Sequence, residues 1–114
     1  MSWVAIVGTV GGYILFLTVT AVVALRYITG APELRTAASM GVVVGAIGAG
    51  ATTLGVHPTV VVATALLGDV GVVRTVGAHP WLRSLGVVTI HMVVSVLVGT
   101  VGFGLLALAA NAPV

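Results

Sequence analysis

Four residues in the second half of the chain have side chains that could carry chemistry: Asp69, Arg74, His91 and Ser95. Asp69 is one of only two acids, and the residues around it are mostly aliphatic. An acid inside a membrane-length apolar run is costly, so it needs a partner and often marks a proton or ion path. A carboxylate beside an imidazole could load and release a proton near neutral pH. We therefore interpret these residues as a buried polar patch.

Spacing along the chain selects the partner of Asp69. Asp69 and Arg74 are separated by about 140° around a helix, which places them poorly for pairing, and Arg74 can extend towards the near interface. Asp69 lies about 12 Å from Gly77, and His91 lies about 10 Å from Ser84, at 1.5 Å per residue. If the two helices are antiparallel neighbours, Asp69 and His91 reach the same depth. The sequence therefore predicts that these two side chains meet.

Several interpretations of the patch are open at this stage. Asp69 could accept hydrogen bonds from His91 and fix the register of two helices, or the pair could couple to a proton or cation. His91 could also be an axial haem ligand, with a second histidine supplied by another subunit. Ser95 is expected to bond to its own helix. The chain has no recognisable catalytic, metal-binding or phosphate-binding motif, so we expect no enzymatic activity, no metal and no cofactor.

The composition indicates that lipid surrounds the chain. Of its 114 residues, 60% are hydrophobic and 5% are charged, whereas soluble domains carry about 25% charged residues. Cysteine is absent, which excludes disulfides and thiolate metal sites. The four arginines are divided between two loop regions, so the basic pI of about 10.0 does not indicate binding to nucleic acid. The predicted partners are the lipid bilayer and other membrane subunits or further copies of this chain.

Four apolar runs predict an all-α membrane protein, a bundle of four transmembrane helices with antiparallel neighbours and short loops. We expect a single domain over residues 1–114, with spans at about 3–25, 36–56, 59–77 and 85–110. Glu33, His57 and His79 fall in the connections and are expected to be solvated. The residues expected to mark topology or the membrane interface are Trp3, Arg26, Arg35, Trp81 and Arg83.

Glycines at helical spacing predict close packing of the helices. A stripe of small residues runs along span two with a seven-residue repeat, which favours a left-handed crossing. It makes span two either the central helix of the bundle or a surface for another copy. The predicted packing positions are Gly8, Gly12, Gly41, Gly45, Gly48, Gly55, Gly99 and Gly102.

The distribution of arginine predicts orientation and role. Both arginine-bearing loops lie on one side, so the positive-inside tendency puts them in the cytoplasm and both termini outside. A cell membrane is the expected location, and a viral envelope is also compatible. We expect a non-enzymatic integral membrane subunit of a larger assembly or homo-oligomer, held at helices three and four by the Asp69–His91 patch. The alternative is a small proton- or cation-coupled transporter or channel centred on Asp69.

The second half of the chain also resembles a known group of proteins. The resemblance rests on Asp69, Val73–Arg74, Trp81–Arg83 and the run VVTIHMVVSVLVG from Val87 to Gly99. This region is similar to small four-span membrane proteins of halophilic archaea that have no assigned function. The resemblance implies four helices in an archaeal cytoplasmic membrane and implies no activity.

Overall fold

Four helices make up the computed structural model, which describes residues 2–113; Met1 and Val114 of the predicted domain lie outside the described residues. Each helix is long and apolar enough to cross a bilayer, so the predicted four-helix membrane fold is confirmed. The helices are α1 (Trp3–Thr29), α2 (Leu34–Leu54), α3 (Pro58–Thr75) and α4 (Trp81–Asn111).

Local signals explain where the helices begin and end. The Ser2 side chain accepts a hydrogen bond from the Ala5 backbone N–H and caps α1, as small polar residues commonly do. Gly30 ends α1 with a φ of 82°, a left-handed conformation that glycine adopts without strain. His57 caps α3 through its ring Nδ1, which accepts from the Thr59 N–H, and Pro58 occupies the first turn. Helix α1 is longer than the predicted span because the chain stays helical through Arg26 until Gly30.

The helices form a ring in which each contacts two neighbours. Contacts join α1 to α2, α2 to α3, α3 to α4 and α4 to α1, with the smallest contact between α3 and α4. Among the described residues, the helices that lie diagonally across the ring, α1 with α3 and α2 with α4, do not contact each other. The expectation that span two is the central helix is therefore wrong, because α2 holds the same kind of position as the other three.

Three of the predicted packing glycines bring α1 and α2 together. A Cβ atom built at Gly41 would overlap the Thr18 hydroxyl and lie 2.9 Å from the Ile14 carbonyl oxygen. A Cβ atom at Gly45 would lie 2.6 Å from Ile14 Cγ1, and one at Gly48 would lie 3.2 Å from Tyr13. Only glycine allows this approach at the first two positions.

The other predicted packing glycines do not pack this way. Cβ atoms built at Gly8, Gly12 and Gly102 meet nothing within 4 Å, so the prediction that they pack is wrong within one chain. Gly8 and Gly12 on α1 and Gly102 on α4 lie in the halves of these helices farther from the arginine loops. Gly55 is the left-handed C-cap of α2, with a φ of 67°. Gly99 is near Phe16, at an ordinary contact distance of 3.7 Å from a built Cβ.

The buried core occupies the half of the bundle nearest the arginine loops. The largest fully buried side chains include Leu25, Met40, Val73 and Val87. Beyond His91, by contrast, α4 has no buried residue among those described. The outer surface is apolar, as expected for a face in contact with lipid.

Candidate functional site

Asp69 and His91 meet inside the bundle. His91 Nδ1 lies 2.6 Å from Asp69 Oδ2, and the two residues are 2% and 4% exposed. Asp69 lies on α3 and His91 on the antiparallel α4, at the common depth that helix geometry predicts. The contact joins the two helices that otherwise touch least.

The second nitrogen of His91 connects the pair to α1. Nε2 lies 3.0 Å from the Leu17 carbonyl oxygen and 3.1 Å from Thr20 Oγ1. The Ser95 hydroxyl also donates to Thr20 Oγ1, at 3.0 Å. Thr20 in turn bonds back to carbonyls of its own helix, as a hydroxyl in lipid must. The result is one polar network across α1, α3 and α4.

Hydrogen-bond chemistry fixes one proton on His91. A carbonyl oxygen only accepts, so Nε2 must carry a hydrogen directed at Leu17 and Thr20. A second proton then lies between Nδ1 and Oδ2, because these atoms are 2.6 Å apart and cannot both be bare. The pair is therefore an imidazolium with a carboxylate or an imidazole with a carboxylic acid. In both arrangements its net charge is zero.

The other oxygen of Asp69 is left without a donor. Among the described residues, Oδ1 is the one buried side-chain N or O atom without a hydrogen-bond partner. A buried acceptor without a donor costs free energy. The contact with His91 therefore satisfies only one of the two carboxyl oxygens of Asp69.

A cavity of about 130 Å³ adjoins the network on the side away from the arginine loops. All four helices contribute to its walls, and Asp69, His91 and Ser95 supply its polar groups. The remaining walls are aliphatic or thioether side chains, and Val62 and Val96, both exposed, lie at its outer edge. The space is large enough for a small ligand or several water molecules.

Arg74 is not part of this network. Its guanidinium lies 4.4 Å from the centre of the Trp81 ring, a cation–π contact. It also donates to the His79 carbonyl oxygen at 3.4 Å. The prediction that Arg74 belongs to the buried patch is wrong, because its position on the helix directs it to the loop end.

A second polar pair joins the two arginine-bearing connections. His79 Nε2 lies 2.9 Å from both carboxylate oxygens of Glu33, and the side chains are 13% and 22% exposed. Both were expected to be solvated; the sequence contains no signal for their pairing, since 46 residues separate them. Glu33 also adopts a left-handed backbone, with a φ of 44°.

Two opposing effects act on the pKa of Glu33. Burial raises the pKa, whereas hydrogen bonds with His79, Thr29 and Thr36 and the positive charge of His79 lower it. The lowering effects together prevail, so the pKa of Glu33 lies below its ordinary value of 4.5. Glu33 is therefore ionised at neutral pH and holds the two connections together.

The remaining predicted residues mark the ends of the bundle. Trp3 and Trp81 are 81% and 60% exposed, at opposite ends, as interface anchors are. Arg26, Arg35 and Arg83 are exposed at the end where Glu33 and His79 pair.

Both nitrogens of His91 have partners within the protein, so this histidine has no nitrogen left for a haem iron. The described residues also contain no group of three or more histidine, cysteine or acidic side chains that could hold a metal ion.

A family model covers residues 1–113, almost the whole chain. The protein belongs to a family of unknown function, DUF7473. No curated protein and no solved structure gives a significant match. Family membership therefore assigns no activity.

Proposed function

We propose that this member of the family is a small, non-enzymatic membrane protein that couples to a proton or small cation at Asp69. The proposal rests on the surroundings of the Asp69 carboxyl group. Asp69 is 4% exposed, one oxygen is bound to His91, and the other has no partner. One proton shared between Asp69 and His91 leaves the pair without net charge, and Asp69 borders a cavity.

A purely structural contact explains less of this geometry. Interhelical hydrogen bonds in membranes contribute about 0.6 kcal/mol on average. An unsatisfied buried acceptor costs about 1–3 kcal/mol, so the open Oδ1 offsets what the contact with His91 contributes. Unsatisfied buried groups are rare and often mark function. A group that exchanges its proton for another cation accounts for both the open oxygen and the adjoining cavity.

Proton flux into liposomes tests this proposal. Purified protein is reconstituted with an internal pH dye, and a potassium diffusion potential drives proton entry. Asp69→Asn keeps the shape of the side chain and removes the exchangeable proton, so we expect flux to fall to that of empty liposomes. Thr64→Val is the control, because the Thr64 hydroxyl is exposed and bonds only to its own helix. Equal flux from wild type and Asp69→Asn would refute the proposal.

We further propose that the arginine loops face the cytoplasm and that the termini lie outside. The absence of cysteine allows single reporter thiols. An impermeant maleimide should label Ala112→Cys in intact cells and Ala31→Cys only after permeabilisation. The reverse pattern would overturn this orientation.

The length of α4 favours a second candidate, a subunit of a larger assembly. Its 31 residues extend about 46 Å, or about 44 Å along the membrane normal at a typical tilt of about 20°. The hydrocarbon layer is only about 30 Å thick. The overhanging end carries Phe103, Leu105 and Leu108, which are 76%, 62% and 71% exposed within one chain. A protein partner, either another polypeptide or a second copy, would shield them from water.

Cysteine cross-linking tests the second candidate. We expect Gly102→Cys to form a disulfide dimer in membranes if α4 meets a second copy, or a larger adduct if it meets another polypeptide. Leu67→Cys, on the exposed face of α3, is the control and should do neither. Failure of Gly102→Cys to exceed the control would exclude a partner at this end of α4.

A further inference from the structure

A wall of two side chains separates the Asp69 cavity from a second space. An apolar groove of about 450 Å³ lies between α3 and α4, on the outer surface of the bundle. Leu66 and Met92 line both this groove and the Asp69 cavity. The groove is lined by aliphatic residues, among them Leu67 and Val70, with one hydroxyl from Thr89. It therefore faces lipid tails and ends one side chain away from a buried acid.

We propose that this groove admits an amphiphilic organic ammonium ion from the bilayer to Asp69, with Leu66 and Met92 as the gate. The inference rests on the proposed exchange of a proton at Asp69, and it names the cation that replaces that proton. The ammonium group would pair with the Asp69 carboxylate, and the alkyl chain would occupy the groove.

The polar groups of the cavity favour an ammonium ion over a metal ion. Hard cations such as Ca²⁺ and Mg²⁺ take six or more oxygen ligands. Here Asp69 and Ser95 are the lining residues with side-chain oxygens, and the Leu17 carbonyl is already bonded to His91. An alkylammonium ion needs few acceptors, and its apolar chain matches the aliphatic walls.

No other titratable side chain faces Asp69 in the described residues. Around the cavity, α1 contributes Leu17, α2 contributes Val44, and α4 contributes His91 and Ser95. On α3 itself, Arg74 stacks on Trp81 at the loop end and does not line the cavity. The exchange therefore involves the one proton shared by Asp69 and His91.

The exchange balances in protons and charge. Before binding, one proton lies between Oδ2 and Nδ1, and Oδ1 exposes less than 1 Å². When the ammonium ion arrives, this proton leaves to water, and the carboxylate rotates to bring an oxygen into the cavity. The products are a carboxylate–ammonium pair and a neutral imidazole that keeps its Nε2 hydrogen. One proton is released for each ammonium ion bound, and the site stays neutral.

Proton release on addition of hexylammonium tests the inference. Protein in lipid nanodiscs is placed in weak buffer with a pH dye, and hexylammonium chloride or 1-hexanol is added at matched pH. We expect wild type to release one proton per hexylammonium bound and none with hexanol. Asp69→Asn should release none.

A second variant keeps the experiment decisive if Asp69→Asn does not fold. Leu66→Phe retains the acid and enlarges the gate residue, so it should slow proton release by roughly tenfold or more, as overfilling a packed site does. Leu97→Phe is the matched control, because Leu97 is 60% exposed and lines neither space.

The outcomes separate this inference from the function on which it rests. Proton flux in liposomes that depends on Asp69, with no release on addition of hexylammonium, overturns the organic cation and leaves the proton function in place. An equal response to hexanol, or equal rates for Leu66→Phe and Leu97→Phe, also overturns the inference. Absence of both flux and release removes the two proposals together.

Discussion

Replacement of Gly41 by alanine should separate α1 from α2. The new methyl group would overlap the Thr18 hydroxyl and lie 2.9 Å from the backbone oxygen of Ile14. A side chain can rotate away, but a helix backbone cannot, so the two helices must move apart. Overpacking of this kind costs about 1–3 kcal/mol.

Gly12 supplies a matched control on the same helix pair. It lies within α1, as Gly41 lies within α2, and a Cβ atom built there meets nothing within 4 Å. Both substitutions gain the same intrinsic helix propensity, about 1 kcal/mol. Gly12→Ala should therefore keep that gain, whereas Gly41→Ala should lose it to the clash. The free energies of unfolding of the two variants should differ by about 1–3 kcal/mol.

Unfolding in mixed micelles measures this difference. The fraction of sodium dodecyl sulfate is raised at constant lipid-like detergent, and the fluorescence of the two tryptophans reports the loss of tertiary structure. Monomeric protein is used so that contacts between copies do not contribute. Equal midpoints for Gly41→Ala and Gly12→Ala would refute the close approach of α1 and α2 at Gly41.

Further predictions concern the two polar pairs. His91→Ala leaves Asp69 buried without its hydrogen-bond partner and should lower the free energy of unfolding by about 1–3 kcal/mol. The double variant with leucine at both positions should lose less, and no loss in the single variant would contradict the buried pairing. Folding lowers the pKa of Glu33, so its contribution to stability is present above pH 4.5 and is lost as the pH falls through the folded-state value. Thermal melts from neutral to acidic pH should therefore show an acid-dependent loss in wild type that is reduced in Glu33→Gln, and identical pH profiles would count against the pairing with His79.

The depth of Asp69 and His91 could be predicted from the sequence because both lie in regular helices joined by a short loop. A rise of 1.5 Å per residue converts the number of residues from the loop into a depth, and the depths of two antiparallel neighbours are both counted from the loop that joins them. Helix rise thus places Asp69 and His91 at one depth whatever the side-chain packing, and the angle of about 140° between Asp69 and Arg74 keeps those two side chains apart.

The partners from α1 could not be predicted in the same way. Leu17 and Thr20 lie 74 and 71 residues from His91, and which face of α1 meets α4 depends on the rotation of each helix in the ring. An aliphatic helix with scattered threonines gives no periodic signal for that rotation. The pairing of Glu33 with His79 was missed for a related reason, since loop conformation sets it and Glu33 adopts a left-handed backbone that nothing in its neighbours requires.

The glycine pattern was only partly informative because it reports small size and not a partner. Gly41, Gly45 and Gly48 face α1, whereas Gly8, Gly12 and Gly102 face open space. The two groups have the same local sequence character. They differ in the face of the helix on which they lie. Gly48 packs against Tyr13, whereas Gly12, the residue before Tyr13, meets nothing within 4 Å.

The proposed proton exchange at Asp69 would act on the pair of neighbouring helices with the smallest contact in the ring. On the side of the Asp69–His91 pair nearer the arginine loops, the interior of the bundle is filled by the fully buried side chains of Leu25, Val73 and Val87. Away from the loops the cavity begins, and α3 and α4 over their whole length have the smallest contact of any neighbouring helices. The shared proton supplies the hydrogen bond that joins these two helices at that level. Loss of the proton removes the bond and sets a carboxylate against the Nδ1 lone pair, so α3 and α4 should separate on the cavity side while the buried residues near the loops hold.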